Sequence, residues 1–85
     1  MRTHNIKIED DYYDNICLGR KKVEIRRNDR DYQGGDILDF LFEDGEMRGD
    51  GGRYLITHVH SGYGMQEGFV ALSIAPLPEK LGGVE

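Results

Sequence analysis

The chain has 85 residues, room for one small domain with a thin core, because a chain this short buries only about 60% of the surface its unfolded form exposes. Apolar residues make up 38% and charged residues 32%; the lone Cys17 excludes a disulfide scaffold, and no apolar stretch approaches the roughly 20 residues of a membrane span. The net charge of -5 is unevenly spread: residues 20–30 hold Arg20, Lys21, Lys22, Arg26, Arg27 and Arg30 against Glu24 and Asp29, and the rest of the chain is acidic. A compact basic segment on an acidic body can present a local anion site, and the same charges also suit a solvated, salt-bridged strand. The start, Met1 to Lys7, lacks the apolar region of a secretory signal, so a cytoplasmic, reducing compartment is expected.

Asn5 to Ile8 reads as a first strand with Ile6 and Ile8 on one face. Glu9, Asp10 and Asp11 suit a helix N-terminus, and Tyr12, Tyr13, Ile16 and Cys17 recur at helical spacing, with Tyr13, Ile16 and Cys17 expected to pack. Gly19 stands where a helix-ending glycine belongs. Lys22 to Arg27 alternates, Val23 and Ile25 on one side and Lys22, Glu24 and Arg26 on the other. After the polar turn Asn28 to Asp31 and the Gly34-Gly35-Asp36 turn, Ile37 to Phe42 forms an apolar strand. Glu43 to Gly52 is a charged, glycine-rich connection; its acidic start would repel phosphate. Tyr54 to His60 and Phe69 to Ile74 complete the strands, separated by a loop, Ser61 to Gly68, and Pro76 and Pro78 end the last one. The expected architecture is a mainly β (α+β) single domain over residues 1–85: a small, closed or nearly closed β-barrel of about five strands with one short helix before the Lys22 strand. Its core spans about residues 4–76, and 77–85 form a frayed tail.

Several residues carry candidate chemistry. Gly19 lets the backbone turn sharply, Lys21 lies in that turn, and Glu24 and Arg26, two apart on a strand, project from one face. A cation, an anion and a second cation thus converge at a helix-to-strand junction. Arginine forks onto phosphate or a base edge, lysine supplies a mobile charge, and Glu24 orients either cation or accepts from a base amino group. The alternative is a structural salt-bridge cluster. Tyr63, between Gly62 and Gly64, either stacks on a base or folds back over the barrel end. His58 and His60 share a strand face and His4 is a conceivable third ligand, but no spacing matches a structural zinc site, and the reading is no metal.

Gly19-x-Lys21-x-x-Glu24-x-Arg26 resembles the signature of the ASCH family of the PUA-like superfamily. The continuation Arg27-Asn28-Asp29-Arg30-Asp31-Tyr32 and then Gly35-Asp36-Ile37-Leu38, with His4-x-Ile6-Lys7-Ile8 at the start and Gly68 to Ile74 at the end, is similar to a small stand-alone bacterial and phage branch of unknown function. The resemblance implies a PUA-like barrel with a cleft beside the helix, a role in RNA binding, and Lys21, Glu24 and Arg26 as cleft residues, with Asp29 and Arg30 in the branch motif. One ASCH branch hydrolyses the amide of N4-acetylcytidine with Lys, Thr and Glu. Lys21 matches that lysine, but Glu24 stands at the threonine position, and Thr57 and Ser73, the other hydroxyls weighed, read as core-packing. Glu67 is a conceivable second carboxylate. The expected function is therefore a nucleic-acid-binding module, RNA before DNA, taking a nucleotide or single-stranded segment at Lys21, Glu24, Arg26, Asp29, Arg30 and Tyr63, with no cofactor and no membrane. The alternatives are an amide hydrolase on an acylated cytidine-like substrate, using Lys21 and Glu24, or a phage or host regulatory module that binds a protein.

Overall fold

The structure, a computed structural model, describes residues 1–77, so the expected tail beyond Leu77 lies outside the described residues. Five strands and one helix follow in chain order: β1 (Thr3–Lys7), α1 (Asp10–Cys17), β2 (Val23–Arg27), β3 (Ile37–Leu41), β4 (Arg53–His60) and β5 (Phe69–Pro76), with a 3-10 turn at Asp50–Gly52 before β4. They form one sheet in the order β1-β3-β4-β5-β2. β1 and β3 run parallel, and the other neighbours are antiparallel. A register shift between Ile56 and His58 disrupts the β4–β5 ladder, the kind of irregularity that bends a strand and sharpens its twist. The sheet curls into a half-barrel.

Period-two alternation explains which side of each strand enters the core. Ile6 from β1, Leu38 and Phe40 from β3, Ile56 from β4 and Val70 and Leu72 from β5 are at most 1% exposed. Ile16 of α1 and Tyr32 of the β2–β3 loop close the cluster. The helix is short and touches the sheet along one narrow stripe. Tyr13 packs edge-on against Phe40 and donates its hydroxyl proton to the Gly51 carbonyl, while Ile16, three residues on, is buried. Cys17 does not join them, contrary to expectation: about 100° round the helix from Ile16, it is exposed, with its sulfur 3.8 Å from the Tyr54 hydroxyl. Thr57, read as a core position, is also exposed, because it falls at the register shift in β4.

Gly19 ends α1 as the sequence requires. At φ 76 it turns the chain so that its own N–H reaches the Ile16 carbonyl and that of Arg20 reaches Asn15, a Schellman closure. The Lys21 N–H also donates to the Asn15 carbonyl, which fixes where β2 begins.

β2 sits inside out by the usual rule. Its apolar side chains face solvent, Val23 at 39% and Ile25 at 58% exposure, whereas Glu24 is 5% exposed on the inner side. The two edge strands of the curl, β1 and β2, are linked by guanidinium groups: Arg26 Nη1 donates to the Lys7 carbonyl at 3.4 Å and Arg30 Nη1 to the Asn5 carbonyl at 2.7 Å. Asn5 and Lys7 are alternate residues of a parallel strand, so their carbonyls point to the side away from β3, and the arginines satisfy acceptors that an open edge leaves bare. Below this seam, Asp36 accepts from the backbone N–H groups of Arg2 and Gln33 and pairs with His4 at 2.9 Å, tying the first strand to the β2–β3 loop.

Candidate functional site

The Gly-x-Lys-x-x-Glu-x-Arg segment folds into one ionic cluster. The Schellman turn brings Lys21 over the last turn of α1, and alternation along β2 puts Glu24 and Arg26 on the inner face. Glu24 Oε1 lies 3.2 Å from Lys21 Nζ and Oε2 lies 3.1 Å from Arg26 Nη1, so each oxygen holds one cation. The carboxylate is 6% exposed, while the lysine and arginine side chains are 29% and 30% exposed. The anion is thus sunk and the cations stand at the surface. Lys21 also donates to the Val23 carbonyl, so that among the described residues one of its three N–H groups is left for a ligand. Glu24 has about four lone-pair positions and uses two on these cations.

Lys21 stands on a ridge between two hollows. On one side lies an open concavity of about 480 Å³ lined by Tyr12, Asn15, Lys21, Glu24 and Ile25. Tyr12, 53% exposed, forms part of that wall, and Lys21 Nζ lies over its ring, 6.0 Å from the centroid. On the other side a more apolar hollow of about 300 Å³ runs between α1 and β5, with Ile16, Cys17, Tyr54 and Ile74 in its wall. Burial, followed by the hydrogen bond to Cys17, pushes the Tyr54 phenol up to about 12, so its hydroxyl stays protonated at neutral pH.

The remaining expected site residues lie elsewhere. Arg30 is spent on the β1 seam, and Asp29 is exposed in the turn that follows β2. Tyr63 is 96% exposed, so it does not fold back over the barrel end. Its loop meets the chain at Asn28, whose N–H donates to the Gly68 carbonyl, at the far end of β2 from Lys21. At about 3.3 Å per residue the strand holds these two ends well apart, so Tyr63 and Lys21 do not share one hollow. His58 and His60 are exposed, and His60 Nε2 pairs with the Tyr63 carbonyl. His4 is buried against Asp36, which keeps it from completing a set with them. Among the described residues no three His, Cys, Asp or Glu side chains gather as a metal site.

Two wall residues, Tyr12 and Asn15, were not among the expected site residues. Their signal was present: with Tyr13 and Ile16 turned inward, positions 12 and 15 form the neighbouring stripe of the helix, three residues apart. Tyr32 and Asp36 were likewise missed as the buried partners of His4, which lies 4.8 Å from the Tyr32 ring, centroid to centroid.

The model of a family described as a domain of unknown function, DUF3850, matches residues 3–74. The chain belongs to that family. A curated relative, an uncharacterised 12.9 kDa protein encoded in the GpA 3' region of Escherichia phage P2, is 38% identical over 37 residues. That stretch is 44% of this chain and 34% of the phage protein, so only about a third of the relative is spanned. Among solved structures, the crystal structure of hypothetical protein PH0355 superposes with a TM-score of 0.60 at 21% identity, over 91% of this chain and 100% of that one. At that identity the likeness is one of fold. Among the described residues no helix is long and apolar enough to cross a membrane.

Proposed function

We propose that this DUF3850 domain binds nucleic acid, RNA in preference, and takes a nucleotide or single-stranded segment into the hollow beside Lys21, Glu24 and Arg26. The observation that carries the reading is the sunken carboxylate of Glu24, which pins Lys21 at the lip of an open, aromatic-walled concavity and holds Arg26 on its other oxygen. Two cations and one anion leave the cluster with a net positive charge, suited to a phosphate. Single strands are favoured because only an unstacked base can enter a hollow of this size. The resemblance of residues 19–26 to the ASCH signature, a PUA-like family linked to RNA, supports the same reading. The amide-hydrolase alternative has less behind it: among the described residues lining the hollow, the one hydroxyl belongs to Tyr12, and no serine or threonine faces Lys21.

The test is fluorescence anisotropy with a short labelled RNA, the matching DNA and the duplex. Lys21→Ala and Arg26→Ala should each weaken RNA binding by about 1–3 kcal/mol without loss of the folded circular-dichroism spectrum. With so few cations the salt dependence should be shallow, a slope of about -1 to -2. Equal binding by the wild type and the double variant would remove the site from consideration.

A further inference from the structure

We infer that the free edge of β2 pairs with the same edge of a second copy of this chain, antiparallel and centred on Ile25, to give a dimer with one continuous sheet. β2 ends the sheet and has β5 as its single neighbour. The Lys22 carbonyl accepts from the Ile74 N–H and the Asn28 N–H donates to the Gly68 carbonyl, so the even-numbered residues of this stretch turn their backbone groups toward β5. Val23, Ile25 and Arg27 therefore turn theirs outward, away from the sheet. The Val23 carbonyl takes the Lys21 ammonium, and the Arg27 carbonyl takes the Asp29 N–H. Among the described residues the N–H and carbonyl of Ile25 have no such partner. No proline, glycine or bulge blunts this edge, and the apolar side chains of Val23 and Ile25 beside it are exposed. The open concavity at Glu24 and Ile25 leaves space along the strand.

Register and charge choose a second copy as the occupant. A two-fold axis through Ile25 sets the whole of Val23–Arg27 against itself. Ile25 then faces Ile25 and exchanges both backbone hydrogen bonds with it, while Val23 faces Arg27. The same register puts Glu24 opposite Arg26 of the second copy, and the reverse, at the non-hydrogen-bonded positions where side chains come closest. Glu24 has lone-pair positions left after serving Lys21 and Arg26 of its own chain, so it can accept from a second guanidinium. Farther along the ladder Lys21 falls opposite the exposed Asp29 of the second copy. The lysine that guards the Val23 carbonyl in the single chain thus gains an anion to turn to when the second copy's Arg27 N–H takes that carbonyl. An axis through Val23 or Arg27, the other outward-turned residues, sets most of β2 against turn residues instead. The inference stands apart from the nucleic-acid reading, and association is measured with protein alone.

The experiment is sedimentation velocity over a series from micromolar to millimolar protein. The wild type should rise toward twice the chain mass. Ile25→Pro removes the outward N–H and leaves the ladder to β5 intact, so it should weaken association about tenfold or more. Ile25→Lys, at an exposed position that the fold tolerates, should do the same by placing like charges opposite each other. Register is read by a short thiol-to-thiol cross-linker in a Cys17→Ser background. Ile25→Cys should link to itself, because the paired Cα atoms lie about 5.5 Å apart. Val23→Cys should not, because its own copy lies about 13 Å away along the strand. A single-chain mass at every concentration overturns the inference. So does association that survives both Ile25 variants, or cross-linking at Val23→Cys equal to that at Ile25→Cys.

Discussion

Glu24 and Asp36 show how single carboxylates organise this protein from inside. Each is buried, and each is served on both oxygens: Glu24 by Lys21 and Arg26, Asp36 by His4 and two backbone N–H groups. Burial pushes the Asp36 carboxyl up, but the hydrogen bonds from His4, Arg2 and Gln33 outweigh it and hold its pKa below the ordinary value. A lowered folded-state pKa means that the unfolded chain takes up the proton first. The stabilisation is therefore complete above the ordinary carboxylate range and is lost as pH falls through the folded value. Asp36→Asn should accordingly melt well below the wild type at pH 7, and the gap should narrow below about pH 4. A gap of constant size from neutral pH down to acid would contradict this. Neither role was fully readable beforehand. The spacing of Lys21, Glu24 and Arg26 announced one cluster, but nothing local in the sequence links Asp36 to His4, 32 residues away.

At the scale of elements, the turn after α1 and the seam between β1 and β2 set the shape of the site. A Cβ at Gly19 would meet nothing within 4 Å, so Gly19→Ala isolates the cost of the left-handed backbone at φ 76. It should lower stability by about 1–2 kcal/mol, or roughly 4–8 °C in melting temperature per kcal/mol for a domain of this size. An unchanged melting temperature would mean that the turn relaxes into another form. The seam makes a separate claim. Arg30→Ala frees the Asn5 carbonyl and should cost about 0.5–1.5 kcal/mol. Native-state hydrogen exchange should then speed up at the Ile8 N–H, which pairs with Leu41, and stay slow in the middle of β5. Uniform acceleration, or none, would show that the guanidinium does not hold the edge.

The existence of the strands was legible because Ile6 and Ile8, Ile37 to Leu41, and Val70, Leu72 and Ile74 are strongly apolar. Their order was not. β1 lies beside β3 and β2 lies at the opposite edge, a consequence of how five short strands bury one face around a single helix. The inward face of β2 was hidden for a related reason. Alternation tells that Val23 and Ile25 oppose Glu24 and Arg26, but the arginine-sealed seam decides which pair turns inward. That inversion separates an incidental surface salt bridge from a built site, and the whole-molecule account depends on it. The most direct measurement is amide chemical-shift mapping of the labelled protein during titration with a short single-stranded RNA of mixed sequence. The account predicts shifts concentrated at Tyr12, Asn15, Lys21, Glu24, Ile25 and Arg26, with the Glu43–Glu46 turn and the Gly62–Glu67 loop left quiet. Shifts centred on the Tyr63 loop, or no shifts at all at saturating RNA, would contradict it.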